Sequence, residues 1–344
     1  MHKNIKELSL EELEQILDSW QQPRFHARQI FSWIYKKGVM DFEAMSDLPS
    51  DLRARLKESF YILSLNLIKR IKSHDGTEKF LFKFKDDNLI EAVIIPAEKR
   101  ITGCISTQVG CKFACRFCAS GLLGFKRNLS CSEMLDEVLY LKNNSQSNKL
   151  THLVFMGMGE PLDNYDNVLK AIRMTNSPYA LNIGVRRMTI STCGIIPGIK
   201  RLATEGLQIE LSISLHAADD KTRSQIMPIN KKYPLKALIG ACKDYIRKTN
   251  RQITFEYILI KGMNSGLQNA QNLIKILRGL KLCKINLIPC NLIKECNIEP
   301  PNKLEASLFR DCLIKGGLNV TLRRARGQDI EAACGQLRLS YEKK

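Results

Sequence analysis

The 344-residue sequence predicts an α/β architecture: a partial (β/α)6 barrel carrying a small N-terminal helical domain and a linking β-hairpin. Three observations lead there. From residue 101 onward, short apolar strand candidates alternate with amphipathic helical stretches, which implies parallel strands joined by right-handed crossovers. The alternation gives six units, short of the eight that close a full barrel. The chemically unusual residues fall just after the strand candidates, the end at which parallel barrels build their sites.

Residues 1–70 read as a helical domain. Ser9 before LEELEQIL has the form of an N-cap, with Glu12 completing a capping box. HARQIFSWIYKKG is a second apolar-faced helix ending at Gly38, and LPSDLRARLKESF a third, capped by Ser50. Residues 71–100 form the hairpin: TEKFLFKFKDDNLIEAVII alternates in period two and breaks at KDDN, and Pro96 ends it. Residues 101–344 hold the barrel and a C-terminal segment. Its strand candidates are 101–107, 151–157, 187–192, 208–214, 253–259 and 284–288, with a short seventh at 318–322. Helices are expected at 131–142, 234–248 and 303–315.

Composition sets the class of partner and compartment. A formal charge of +18 favours a polyanion, although a merely solvated basic surface gives the same number. Basic residues recur at Lys69, Arg70, Lys126, Arg127, Arg186, Arg187, Arg323, Arg324 and Arg326. No apolar run approaches the ~20 residues that span a bilayer. The N-terminus reads as an amphipathic helix rather than a leader, so a cytoplasmic protein without a membrane partner is expected. Twelve cysteines in such a chain argue against disulfide staples. Cys242, Cys283 and Cys312 sit in apolar surroundings and read as small buried residues.

Cys111, Cys115 and Cys118 differ, because GCKFACRFC spaces them C-x3-C-x2-C on one short loop. Zinc sites and redox-only iron–sulfur sites ordinarily take four protein ligands, and none follows at short spacing. Three thiolates leave one iron of a [4Fe–4S] cluster open to an external chelator. The spacing resembles the radical S-adenosylmethionine (SAM) signature, in which the amino acid end of SAM takes that iron; zinc and accidental clustering are the alternatives. The other rim motifs fit SAM. Gly157 and Gly159 permit close backbone approach, Glu160 accepts from the SAM ammonium, and Ser191, Ser214 and Asn291 offer polar partners. In SLHA, Leu215 and His216 lie on the same rim, though a packed rim histidine is the competing reading of His216. Phe117 lies within the cysteine loop, where it can pack near the adenine.

RQIFSWIYKKGVMDFEAMSDLP, QVGCKFACRFC, GFKRNL, FMGMGEPLDNYDNV, SLHA, MPIN and RARGQDIEAACGQL occur in this order. Together they resemble the RlmN family, dual-specificity adenine-C2 methyltransferases, from about residue 20 to residue 339. The resemblance implies a partial radical SAM barrel, a [4Fe–4S] cluster and SAM as cofactors, and 23S rRNA and tRNA as substrates. It implies Cys334 as methyl carrier, Cys104 as its partner thiol and Glu91 as proton acceptor, with two SAM molecules consumed per turnover and a transient disulfide. An electron donor such as flavodoxin follows from the chemistry, and a monomer from the need to admit a large RNA to one rim. Without the resemblance, Cys334 is an incidental thiol and Glu91 an ordinary hairpin carboxylate.

Two positions depart from the family pattern. Cys193 stands where Ser is general, and Cys290 where an aromatic is common; each is either inert or able to intercept the disulfide. Two rival functions remain open. One is the sister activity that methylates adenine C8 and confers antibiotic resistance; ISTCGIIPGIK suits either branch, while GEPLDN and RARGQDI lean to C2. The other is a non-catalytic RNA-binding protein with a structural metal.

Overall fold

The computed structural model describes residues 3–62, 65–146, 149–290, 298–323, 327–330 and 336–342. The N-terminal part contains β1 (Lys3–Asn4), α1 (Leu10–Ser19), α2 (Phe25–Phe31), α3 (Ser50–Ser59) and β2 (Phe60–Tyr61), with β1 and β2 paired in parallel. The capping box of α1 is present: Glu12 N–H donates to Ser9 Oγ at 3.1 Å and Ser9 N–H to Glu12 Oε2 at 2.6 Å. Such a cap stabilises a helix start by about 1 kcal/mol. Two expectations shift. The second helix passes into a π-turn at Ser32–Lys36 before Gly38, and Pro49 rather than Ser50 is the cap residue of α3, with no side-chain cap bond.

Next come β3 (Asn66–Lys72), β4 (Glu78–Lys83), β5 (Leu89–Ala97) and β6 (Arg100–Cys104). The hairpin expected over 77–95 is thus two strands of a larger antiparallel wing. Its third strand is β3, and β5 continues the sheet into β6, the first barrel strand. Pro96 does not end β5. It sits inside the strand opposite Ile101, near the strand's end, where the missing N–H is tolerated.

Beyond β6 lie the ribbon β7 (Gln108–Gly110) and β8 (Phe125–Asn128), with α4 (Ala119–Leu122) between them. The barrel proper then alternates: α5 (Cys131–Asn144), β9 (His152–Phe155), α6 (Tyr165–Asn176), β10 (Met188–Thr192), α7 (Ile196–Leu202) and β11 (Glu210–Ser214). It continues through α8 (Asp220–Ile226), α9 (Leu235–Thr249), β12 (Ile253–Leu259), α10 (Leu267–Leu277), β13 (Cys283–Pro289), α11 (Lys303–Lys315) and β14 (Val320–Leu322), and α12 (Gln336–Glu342) follows.

Among the described residues, ten strands join one sheet in the order β14-β13-β12-β11-β10-β9-β6-β5-β4-β3. Every pair from β6 to β14 is parallel. The six β/α units and the seventh short strand stand where the sequence placed them. An apolar core runs unbroken from Leu13 and Leu17 of α1 through Met134 and Leu135 of α5 to Phe255 and Leu287 on barrel strands. A buried ion pair, Lys6 with Asp136, fixes the N-terminal residues to α5; burial lowers the lysine and raises the carboxyl.

Candidate active site

All the described rim motifs stand at the C-terminal ends of parallel strands. The cysteine loop follows β6 and β7, residues 157–160 follow β9, Cys193 follows β10, and Leu215 and His216 follow β11. Asn291, expected after β13, lies outside the described residues, as do Cys334, Arg324 and Arg326.

The cysteine loop is held by its own backbone. Cys111 N–H donates to Gly124 O (2.9 Å), Arg116 N–H to Ile226 O (3.0 Å) and Cys118 N–H to Cys115 O (3.1 Å). Ala114 takes a left-handed φ of 49°, which costs a non-glycine residue about 1 kcal/mol. His216, on the facing rim, does the same with φ 57°. Such conformations concentrate where surrounding structure over-determines a functional loop. Phe117 meets the His216 ring edge-on at 4.6 Å, so it packs on the histidine. A small apolar cluster of Ala217, Ile226, Met227, Ile258, Cys193 and Cys290 backs the loop.

His216 is the most constrained of the rim side chains. Its Nδ1 accepts from Ile258 N–H at 3.0 Å, and Asn264 donates to its carbonyl at 2.7 Å. Burial, with Arg223 nearby, pushes its pKa down to about 3. The ring is therefore neutral and, with Nδ1 accepting, carries its proton on Nε2.

Gly157 and Gly159 also pack closely within the chain. A Cβ on Gly157 would lie 2.6 Å from the Ile105 carbonyl, and one on Gly159 (φ +100°) would lie 2.6 Å from Gln108 Cβ. Their small size thus seats the 157–160 loop against the chain leaving β6. Glu160 is likewise turned inward. Its Oε1 accepts from Leu162 N–H (3.0 Å) and its Oε2 from Cys193 N–H (2.7 Å), while burial raises its pKa. Ser191 and Ser214 are half-buried and Leu215 is fully buried. Arg223, which the motifs did not single out, stitches this rim together. It donates to the carbonyls of Leu215 (3.0 Å), Ser214 (3.0 Å) and Cys193 (2.8 Å) and to Asn230 Oδ1 (3.0 Å). That contact gives MPIN its structural reason.

Sheet register places the other predicted residues. Val93 of β5 faces Cys104 of β6, Lys79 of β4 faces Val93, and Leu81 faces Glu91. Residues paired across strands share a face, as do residues two apart on one strand. Lys79, Glu91 and Cys104 therefore lie on one face, and all three are buried. Lys79 Nζ meets Glu91 Oε2 at 2.8 Å, and the other carboxylate oxygen accepts from Arg338 N–H at 2.6 Å. The hairpin carboxylate is thus a buried, paired group. Ser106 extends the network: its Oγ–H donates to Glu91 O (2.7 Å) and its N–H to Glu137 Oε2 (2.9 Å), while Met158 N–H donates to Ser106 Oγ (3.0 Å). Neither Lys79 nor Ser106 carried a motif signal. Only the register of the wing brings them in.

The extra thiols are buried. Burial pushes Cys193 well up and Cys290 to about 11, which disfavours the thiolate at both. No disulfide links two described residues.

The donor set fits an iron–sulfur cluster. Burial drives the Cys111 thiol up to about 12 and Cys115 well up, and a bound positive centre would favour their thiolates. Among the described residues, no three Cys, His, Asp or Glu side chains are grouped to hold a single ion. Thiolates on three corners of a cubane have no need to converge on one atom. Three half-buried cysteines on the rim of a partial parallel barrel define a radical SAM enzyme.

The comparisons agree. The radical SAM superfamily profile matches residues 105–270, and that of the ribosomal RNA large subunit methyltransferase N-terminal domain matches residues 3–62. The chain is 48% identical over 340 residues to the "Probable dual-specificity RNA methyltransferase RlmN" of Clostridium novyi (strain NT), covering 98% of each chain. A relative of the same name from Caldanaerobacter subterraneus subsp. tengcongensis is 47% identical over 341 residues, covering 99% of each. The crystal structure of a radical SAM methyltransferase from Sphaerobacter thermophilus superposes with a TM-score of 0.93 at 41% identity, covering 97% of this chain and 98% of that one. The chain belongs to the RlmN family of radical SAM RNA methyltransferases, whose cofactors are a [4Fe–4S] cluster and SAM.

Proposed function

We propose that this enzyme methylates C2 of an adenosine in 23S rRNA, near the peptidyl-transferase centre, and of the adenosine 3′ of the anticodon in tRNAs. The observation that carries the reading is the shared sheet face of Cys104 and Glu91, beside the rim that carries Cys111, Cys115 and Cys118. A purely RNA-binding protein has no use for a buried thiol and a buried carboxylate on one face of the sheet.

When bound, the cluster supplies the electron that splits SAM to a 5′-deoxyadenosyl radical. The chain's own residues have separate tasks. Cys111, Cys115 and Cys118 hold the cluster, and residues 157–160, Ser191, Ser214, Leu215, His216 and Asn291 surround SAM. Cys334 accepts a methyl group from a first SAM by displacement at sulfur. The S-methyl group on Cys334 would give up a hydrogen atom to the 5′-deoxyadenosyl fragment of a second SAM, which becomes 5′-deoxyadenosine, and its carbon would add to C2. Glu91 takes the C2 proton, its carboxylate positioned by Lys79 at 2.8 Å. The Cys104 thiolate would then attack the Cys334 sulfur, breaking its bond to the methylene and forming a transient disulfide. The methylene takes a proton to become the methyl group, and the surplus electron passes to the oxidised cluster.

Exposed Lys69, Lys126, Arg186, Arg187 and Arg323 form the phosphate-contacting surface, whereas Arg70 and Arg127 are engaged by Glu78 and by Asp86 and Glu133. We place the enzyme in the cytoplasm as a monomer fed by a flavodoxin-like donor. Among the described residues no helix is long and apolar enough to cross a membrane.

The test is Cys104→Ala with labelled rRNA, SAM and reductant under anaerobic conditions. A protein–RNA adduct that survives denaturation and disappears in Cys104→Ala/Cys334→Ala supports the assignment. Wild-type turnover in Cys104→Ala refutes it.

A further inference from the structure

Arg223 lies on α8 and is wholly out of solvent. The acceptors it serves are uncharged: the carbonyls of Leu215, Ser214 and Cys193, and Asn230 Oδ1. Among the described residues no carboxylate forms an ion pair with it. The Cys193 peptide stands between it and Glu160, donating its N–H to Glu160 Oε2 (2.7 Å) and turning its carbonyl to Arg223 (2.8 Å). The exposed Asp220 is linked to it through Asn230, which donates to Asp220 Oδ1 at 2.9 Å. A guanidinium keeps its charge in a protein interior, and carbonyl dipoles offset only part of the cost of burying it.

The same helix supports the cysteine loop. Ile226 O, one turn after Arg223, accepts from Arg116 N–H at 3.0 Å. Ile226, Met227 and Cys193 belong to one apolar cluster, and Phe113, Cys115 and Phe117 pack on it. Burial raises the Cys115 thiol, as do Cys118 and Cys111, while Arg223 pulls it down. A buried cation therefore sits beside the loop, locked by hydrogen bonds to the chain at the ends of β10 and β11.

We propose that Arg223 is the fixed counter-cation of the iron–sulfur site, and that its charge raises the reduction potential of the cluster held by Cys111, Cys115 and Cys118. A [4Fe–4S] cluster on three thiolates is anionic, and an electron taken from the external donor adds a further negative charge. Net charge and burial are among the levers that set such potentials. A unit charge roughly 10 Å away, through an effective dielectric of about 20, shifts the equilibrium on the order of tenfold. Arg223 thereby favours electron entry without taking part in the bond changes. This rests on Cys111, Cys115 and Cys118 being the cluster ligands.

Full-length reconstituted enzyme is titrated anaerobically against redox dyes, with samples matched for iron content and the reduced cluster counted by electron paramagnetic resonance. Arg223→Gln keeps an N–H donor and loses the charge. Its reduced-to-oxidised ratio at a fixed potential should fall about tenfold, a shift of about 59 mV to lower potential. Arg223→Lys keeps the charge, loses the planar fork and should stay within about threefold of wild type. The exchange Asp220→Asn/Asn230→Asp leaves the arginine and the net charge in place. It sets a carboxylate against Nη1, where Asn230 Oδ1 lies at 3.0 Å, and the ratio should again fall severalfold. That exchange decides the matter if Arg223→Gln does not fold. A wild-type potential in Arg223→Gln, or in the exchange, overturns the proposal. A fall in Arg223→Lys as large as in Arg223→Gln also overturns it, because shape and not charge then sets the potential. Cys115→Ala with wild-type iron content refutes instead the ligand reading on which the proposal rests.

Discussion

Lys79→Met separates the structural and chemical duties of Glu91. Both side chains are almost wholly out of solvent, at 0% and 3% exposure, and their charged atoms lie 2.8 Å apart. Removing the ammonium takes a charged partner at 2.8 Å from a carboxylate in a low-dielectric setting, which keeps the hydrogen bond from Arg338 N–H. Breaking one side of such a pair costs about 3–5 kcal/mol. In Lys79→Met/Glu91→Gln the amide oxygen still accepts from Arg338 N–H and no charge is stranded. The double variant should then regain most of the stability, to within about 1 kcal/mol of wild type. Urea unfolding followed by circular dichroism measures all three. Methyl transfer should be lost in both variants, because one removes the Lys79 partner that positions the Glu91 carboxylate and the other removes the carboxylate as well. A single variant within about 0.5 kcal/mol of wild type, or a double variant as unstable as the single one, refutes the reasoning.

Gly159→Ala forces a Cβ to 2.6 Å from Gln108 Cβ at φ +100°. It should cost about 2–4 kcal/mol and weaken SAM binding by equilibrium dialysis; wild-type values for both would contradict the packing role. His216 is neutral when folded, with a pKa of about 3, and takes up a proton on unfolding once the pH falls below its ordinary value near 6.5. Stability should therefore fall by about 1.4 kcal/mol per pH unit from roughly 6.5 downward on account of this one group. His216→Gln should flatten the profile by one proton in a series of urea titrations. Cys111→Ala, Cys115→Ala and Cys118→Ala should each yield colourless, iron-poor protein by iron assay. A brown, air-sensitive variant would mean that the loop is not the cluster site.

The barrel was legible because its signals are local and periodic. Strand candidates such as 253–259, and the capping box at Ser9 and Glu12, depend only on neighbouring residues. The cysteine loop was legible because metal chemistry fixes its spacing. The wing was read as a hairpin because β3, NLIKRIK, is largely exposed and lacks the alternation that marks a half-buried strand. The pairing of Lys79 with Glu91 follows from sheet register, which joins residues twelve apart across a turn. Arg223 was missed for a related reason. Its worth lies in carbonyls from three different rim positions, a convergence that tertiary structure alone creates. At Gly157 and Gly159 the structure adds close contacts with this chain's own Ile105 backbone and Gln108, which only the folded loop reveals.

The central claim is regiochemical and is tested most directly on the product. Cluster-reconstituted enzyme is incubated with SAM, a reductant and unmethylated 23S rRNA, and the digested nucleosides are identified by mass spectrometry against C2- and C8-methyladenosine standards. The account predicts 2-methyladenosine, absent with Cys334→Ala. Formation of 8-methyladenosine, or of 2-methyladenosine undiminished in Cys334→Ala, would contradict it.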